Sequence, residues 1–296
     1  MDLNTIRNDV LNTYLREDIV RNERVNSSKS LWESKTLIEE LLKTDNIGHI
    51  DFCSLLLSLF TSVSKHLEKE YSPNSRSRGL LRGFIPIGQK AIEEAENGRN
   101  LEVPLERAMA LANNWFCQFS CLSGYAGTRA KYKRKSIDLV WTPSKSSTLG
   151  YLIELKEWKS KNHILFAAIE VIIYWMCFIN VRNIDIARKN PQASNWPKWS
   201  DFKLCVMAPS NYFAEQPKNY RILVDTLNKA LQALTNTGVH NCDRLGVNSC
   251  KVVAIPLSIE RNAFIKLIRL NAAVLTCREA RQSDLQDSSI LYQKLE

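Results

Sequence analysis

Three observations predict a mixed α/β fold. Apolar residues recur at helical spacing through the first hundred residues, and strand-like runs alternate with helices after Gly127. Gly (10) and Pro (9) are too few for a loop-rich or all-β assembly. The predicted organisation is a helical N-terminal accessory region, 1–100, followed by an α+β mixed-sheet domain, 101–296. With 296 residues, the chain is long enough to bury a sizeable core. Its 45% hydrophobic and 24% charged residues exclude a disordered chain, a collagen and a coiled-coil rod.

The elements follow in order. Ile6, Val10, Leu11, Tyr14 and Leu15 predict a first helix, and Trp32, Leu37, Ile38, Leu41 and Leu42 a second. Leu55, Leu56, Leu59, Phe60, Val63 and Leu67 predict a third. The Ser/Pro/Arg/Gly stretch at 72–79 is a loop. A helix over 86–97 stops near Gly98, and Pro104 opens another that runs to about Phe119. Residues 136–141 and 149–158 are strand-like, separated by a polar turn holding Pro143, and predict a hairpin. An apolar helix over 163–181 follows, then a loop at 190–200 and a strand at 202–208. Residues 219–235 form an amphipathic helix with Ile222, Leu223, Leu227, Ala230, Leu231 and Leu234, and 251–257 a further strand. The segment 264–270 fits helix or strand equally. The order α-β-β-α-β-α-β implies a mixed sheet with helices on its faces.

Lys and Arg (40) exceed Asp and Glu (31), which gives a net charge of +9. Such a surplus points to a polyanionic partner, nucleic acid before an acidic membrane, against the plain alternative of a basic soluble protein. The eight cysteines are scattered without a CxxC pair. They read as free thiols in a reducing compartment rather than a zinc site or a disulfide framework. The N-terminal stretch MDLNTIRNDVLNTYLRED is charged throughout and has no apolar signal core, so a cytoplasmic location is expected. The apolar run 164–181 imitates a membrane span. Glu170 and Asn180 interrupt it and strand-like runs flank it, so a buried core helix and no membrane association are expected. His49, His66, His163 and His240 show no metal spacing, and no P-loop, Rossmann glycine pattern or GxSxG occurs.

The chemistry-bearing residues lie on the predicted hairpin. Side chains two apart on a strand share a face, so Glu154 and Lys156 project together while Ile153 and Leu155 project into the core. Asp138 on the preceding strand meets them across the hairpin. Two carboxylates offer hard oxygen ligands to Mg²⁺, whose bound water is a nucleophile and whose charge offsets that of a phosphate. The ammonium orients that water or stabilises developing charge. The competing reading is an ordinary solvated strand face.

The pattern Ile137-Asp138, fifteen residues, then Glu154-Leu155-Lys156 resembles the PD-(D/E)xK phosphodiesterase superfamily, over about residues 104–258. Ile137 replaces the proline of the motif, which carries no chemistry. Glu33-Ser34-Lys35, Glu157-Trp158-Lys159 and Asp201-Phe202-Lys203 also spell the triplet, but only Glu154-Leu155-Lys156 lies in an apolar strand that follows an acid-bearing strand. The resemblance implies a restriction-endonuclease-like αβββαβ core and a Mg²⁺-dependent DNA endonuclease, such as a restriction or defence nuclease. Asp138 and Glu154 would hold the metal, and Lys156 would complete the catalytic set. It also makes Glu106 a candidate for the acid on the helix before the first strand, although a surface position would account for it as well. Glu170 and Tyr174 have the spacing of a Gln-x-x-x-Tyr pair seen in some relatives, in a supporting role. A protonated Glu170, or one that meets a buried Arg or hydroxyl, is the alternative.

From 129 to 161, nine Lys/Arg stand against three acids. Arg129, Lys131, Lys133, Arg134, Lys135, Lys159 and Lys161 are the candidates for phosphate contacts. Double-stranded DNA is the expected partner, and a homodimer is an admissible assembly. A non-catalytic nucleic-acid-binding protein with the same basic surface is the alternative function, and a helical interaction protein is a third.

Overall fold

The computed structural model describes residues 51–70, 81–119, 136–160, 163–216, 218–236, 246–286 and 288–295. The two helices expected before residue 50, the loop at 72–79, Arg129, Lys131, Lys133, Arg134, Lys135 and Lys161 lie outside them.

A five-stranded sheet organises the protein. Its strands are β1 (Phe116–Phe119), β2 (Ile137–Trp141), β3 (Leu149–Leu155), β4 (Asp201–Pro209) and β5 (Ser249–Leu257), and they lie side by side in chain order. The pairings β1–β2 and β2–β3 are antiparallel, whereas β3–β4 and β4–β5 are parallel. The change of sense at β3 follows from the connections. A short turn returns the chain from β2 to β3, but helices carry it from β3 to β4 and from β4 to β5. These are α4 (Ile164–Ala187) on the first crossover and α5 (Ser210–Ala214) with α6 (Tyr220–Asn236) on the second. Before the sheet come α1 (Phe52–Glu70), α2 (Gln89–Glu96) and α3 (Glu102–Asn113), and after it α7 (Arg261–Thr276). The order from α3 to β4 is therefore α-β-β-β-α-β, in a mixed α/β fold.

Each face of the sheet carries its own core. On one, Leu152, Phe202, Leu204, Val206 and Val252 pack against α1, α4 and α6. On the other, Leu139, Ile153, Leu155, Cys205, Met207 and Leu257 pack against α2, α3 and α7. Helices on both sides of residue 100 share these two cores. A strand covered on both faces must be apolar at nearly every position, and β3 is buried from Gly150 to Leu155. Helix α4 is long and apolar enough to cross a membrane, yet 89% of its apolar window is buried within the protein. Its polar groups are tied inward. Ser64 Oγ donates to Asn180 Oδ1 (2.8 Å), and Trp196 Nε1 donates to the fully buried Asp185 (2.6 Å).

Three expectations require correction. The helix opened by Pro104 ends at Asn113, not near Phe119, because Asn114 takes a left-handed conformation (φ 53°) and breaks it. The next residues become β1, an edge strand that helical periodicity does not reveal. The strand expected to reach Trp158 ends at Leu155; the Lys156 N–H adds one more bond to Met207 O (2.9 Å), and Glu157 and Trp158 lie beyond the strand. The ambiguous segment 264–270 is helical, within α7.

Gly150 shows how closely the loop before β4 covers β3. A Cβ there would stand 2.4 Å from the Trp199 ring. Gly150→Ala is expected to cost about 1–3 kcal/mol. In urea unfolding it would lower the midpoint and leave the slope unchanged.

Candidate active site

The hairpin register builds the site. Leu139 pairs with Ile153 and Val140 with Leu152, so one step further Asp138 stands opposite Glu154. On the other side of β2, Cys117 pairs with Leu139 and Phe119 with Ile137, which sets Gln118 opposite Asp138. Gln118, Asp138 and Glu154 thus form one row across three strands. Asp138 Oδ2 accepts the Leu155 N–H (2.9 Å), so the last amide of β3 ends on a side chain.

Lys156 lies at the centre. Its Nζ donates to Glu154 Oε1 (2.5 Å) and to Glu170 Oε2 (3.2 Å). Tyr174, one turn further along α4, donates its hydroxyl to Glu170 Oε1 (3.2 Å). Glu154 is 4% exposed and Lys156 5%, which excludes a solvated strand face. Glu106 is buried as well, at 2% exposure, rather than on the surface of α3. Arg107 Nη1 donates to its Oε1 (2.5 Å), and Gln118 Nε2 donates to both of its oxygens (3.2 and 3.1 Å). The structure therefore brings Asp138, Glu154, Lys156, Glu170, Tyr174 and Glu106 to one end of the hairpin. Lys159 is exposed beyond it.

Four neighbours escaped the sequence reading. Glu102 precedes Glu106 by one turn of α3 and is exposed, and its charge adds to the field on Glu106 and Asp138. Arg107 and Gln118 hold Glu106. Gln118 does so from a left-handed backbone (φ 54°), a conformation that a residue with a Cβ rarely adopts. Tyr212 on α5 is 1% exposed, its hydroxyl has no hydrogen-bond partner among the described residues, and the charges of Lys156, Glu154 and Glu170 reach it. Spacing offers a signal for Glu102 alone, as the i−4 neighbour of Glu106.

The electrostatics follow from burial. Burial, and then the charge of Asp138, hold Glu154 well above the usual carboxylate range. Burial and the charge of Glu106 do the same to Asp138. Burial, with a smaller push from the charge of Glu102, raises Glu106, and Arg107 and Gln118 limit the rise to about 7. Burial opposes the charge on Lys156, but Glu154, Glu170 and Asp138 outweigh it and raise the ammonium well above its usual value. Among the described residues, the carboxylates of Glu102, Glu106, Asp138, Glu154 and Glu170 share this region with the cations Lys156 and Arg107.

That shortage of positive charge is what a divalent cation between Asp138 and Glu154 would relieve. No cluster of three or more His, Cys, Asp or Glu donors suited to a metal exists among the described residues. Asp138 and Glu154 are the residues that would hold such an ion, and two carboxylates would leave most of a Mg²⁺ shell to water. They do not fit a fully protein-caged ion. Comparison of the chain with family models, with curated proteins and with solved structures finds no match.

A carboxyl held above its ordinary value stabilises the fold fully below that value, and the contribution is lost as pH rises through the folded one. For Glu106 this window runs from 4.5 to about 7, and Asp138 and Glu154 lose theirs in the same direction. A cation bound by Asp138 and Glu154 must displace protons at the acid end. The Mg²⁺-induced rise in Tm is therefore expected to be larger at about pH 8 than at about pH 5, and absent in Asp138→Asn. Equal rises at both pH values, measured by thermal unfolding, would contradict a site built on these carboxylates.

Proposed function

We propose that this chain is a Mg²⁺-dependent DNA endonuclease of the PD-(D/E)xK type. The observation that supports it is the meeting of Asp138, Glu154 and Lys156 at the end of one antiparallel hairpin, with Lys156 held by Glu154 and Glu170. A bound Mg²⁺ supplies an activated water and offsets charge on the scissile phosphate. The remaining steps belong to the protein. Lys156 stays protonated and donates hydrogen bonds to the phosphate oxygens as charge builds on them. Glu170, steadied by the Tyr174 hydroxyl, keeps that ammonium at the strand end. Asp138 is aimed by its bond from the Leu155 amide. Lys159, three residues past Lys156, is exposed and free to contact a phosphate backbone.

A non-catalytic nucleic-acid-binding protein is the second reading. What favours it is the lack, among the described residues, of a third metal donor beside Asp138 and Glu154.

Plasmid DNA incubated with the purified chain separates the two. Nicking or linearisation is expected with Mg²⁺ or Mn²⁺ and not in EDTA; equal cutting in chelator rejects the metal mechanism, and binding without cutting in any metal favours the second reading. Lys156→Ala should lower the cleavage rate by about 10²–10³-fold. DNA affinity should change little, because one phosphate contact is a small share of a multi-charge footprint.

The two glutamates near the end of β3 provide an independent check. Glu154 holds Lys156, whereas Glu157 lies past the strand, half-buried and away from that bond. Glu154→Gln should abolish cleavage and Glu157→Gln should leave most of it, measured as single-turnover rates. The reverse result would transfer the triplet to Glu157-Trp158-Lys159.

A further inference from the structure

Helix α7 carries Arg261, Lys266 and Arg269 and no acid. These three cations line an open groove of about 690 Å³ with Gly98, Asn262 and Glu96, the only acid in its lining. Lys266 and Arg269 are exposed and Arg261 is half-buried. Arg269 donates to Glu96 O (2.5 Å), the last carbonyl of α2, and Arg261 to Gly98 O (2.6 Å) just past it, which fixes both guanidinium groups at the groove wall. A guanidinium has five N–H donors, so one such bond leaves it able to receive a phosphate. Lys266 forms no ion pair or hydrogen bond among the described residues.

The groove is tied to the candidate active site. Trp158, two residues past Lys156, donates its indole N–H to Ile259 O (3.1 Å) and stacks on Phe264 with ring centroids 5.2 Å apart. Those contacts clamp the chain leaving β3 to the start of α7. Glu157, between Lys156 and Trp158 in the chain, feels the charges of both Lys159 and Arg261. The clamp thus joins the exposed Lys159, past the end of β3, to the helix that carries Arg261, Lys266 and Arg269. Acids near these cations include Glu157, Glu96, the exposed Glu102, which feels the charge of Glu157, and Glu260 at the N-cap position of α7.

We infer that the α7 groove is a docking surface for a nucleic-acid phosphate backbone, and that it guides the strand running away from the Asp138–Glu154–Lys156 site. The inference rests on the proposed nuclease reading for its direction, while charge complementarity along α7 supplies the surface itself. Spaced cations on one helix face neutralise phosphates without reading sequence.

The test is binding of the full chain to a fluorescently labelled DNA duplex in EDTA, so that no cutting intervenes, over a series of salt concentrations. Lys266→Ala/Arg269→Ala should weaken binding and reduce the slope of log affinity against log salt by about two, close to one unit per lost phosphate contact. Lys266→Glu alone, at an exposed position with no bond to lose, should weaken binding without lowering Tm. Lys266→Arg/Arg269→Lys, which keeps both charges, should retain the wild-type slope. An unchanged slope in the double alanine variant overturns the inference. So does a loss seen with vesicles of anionic lipid but not with the duplex. If the wild type binds the duplex, the double variant loses the slope and neither cuts plasmid, the surface stands and the nuclease reading falls. If the wild type cuts plasmid and the double variant binds as tightly, the reading stands and the surface falls.

Discussion

The buried ion cluster around Lys156 is the constraint on which this architecture turns. Taking an ammonium and two carboxylates out of water costs several kcal/mol per ion unless each finds a partner in good geometry. Lys156 meets Glu154 from its own strand and Glu170 from α4, and Tyr174 completes Glu170. The arrangement requires the Lys156 amide to stay on Met207 of β4 and α4 to stay docked on the sheet. Removing one partner from such a cluster leaves an uncompensated buried charge, a loss of about 3–5 kcal/mol. The parallel pairing of β3 with β4, the seating of α4 and the orientation of Lys156 therefore stand or fall together.

The change of strand sense at β3 is what brings unlike parts of the chain to this cluster. The antiparallel partner delivers Asp138 by a short turn, and the crossover helix delivers Glu170. The groups converge at the C-terminal end of β3, where the parallel strands β4 and β5 also end, which is where open α/β sheets place their ligand sites. Both sheet faces are already filled by helices, so the strand ends offer the position at which a polar cluster can meet solvent without opening a core.

One of the left-handed non-glycine residues lies at the same place. Gln118 adopts a left-handed backbone opposite Asp138, at a cost on the order of 1–3 kcal/mol. Its amide donates to both oxygens of Glu106, and its own carbonyl oxygen accepts the Ser136 hydroxyl (3.4 Å). Arg107 holds the same carboxylate from the other side, so Glu106 is buried with partners on two flanks and its charge bears on Asp138. The hydroxyl of Tyr212, close enough to feel Lys156 and Glu154, is buried without a hydrogen-bond partner among the described residues.

Periodicity and spacing were enough to predict the mixed α/β class, the hairpin, the burial of α4 and the pairing of Asp138 with Glu154-Leu155-Lys156. Each depends on a local pattern: period 3.6 for helices, period 2 for strands, and a short turn that returns one strand antiparallel beside the other. Other features had no such signal. Phe116–Phe119 lies next to a helix in sequence and became a strand because the edge of β2 was free to pair with it. The segment 264–270 became helical because its apolar side, Phe264, Leu267 and Ile268, had the second sheet face to cover. Gln118, Arg107 and Tyr212 entered the site through a backbone twist and long-range packing that no spacing encodes. Local sequence determines which face of an element is apolar; only the assembled sheet decides what that face meets, because burying a charge or pairing an edge depends on neighbours far away in the chain.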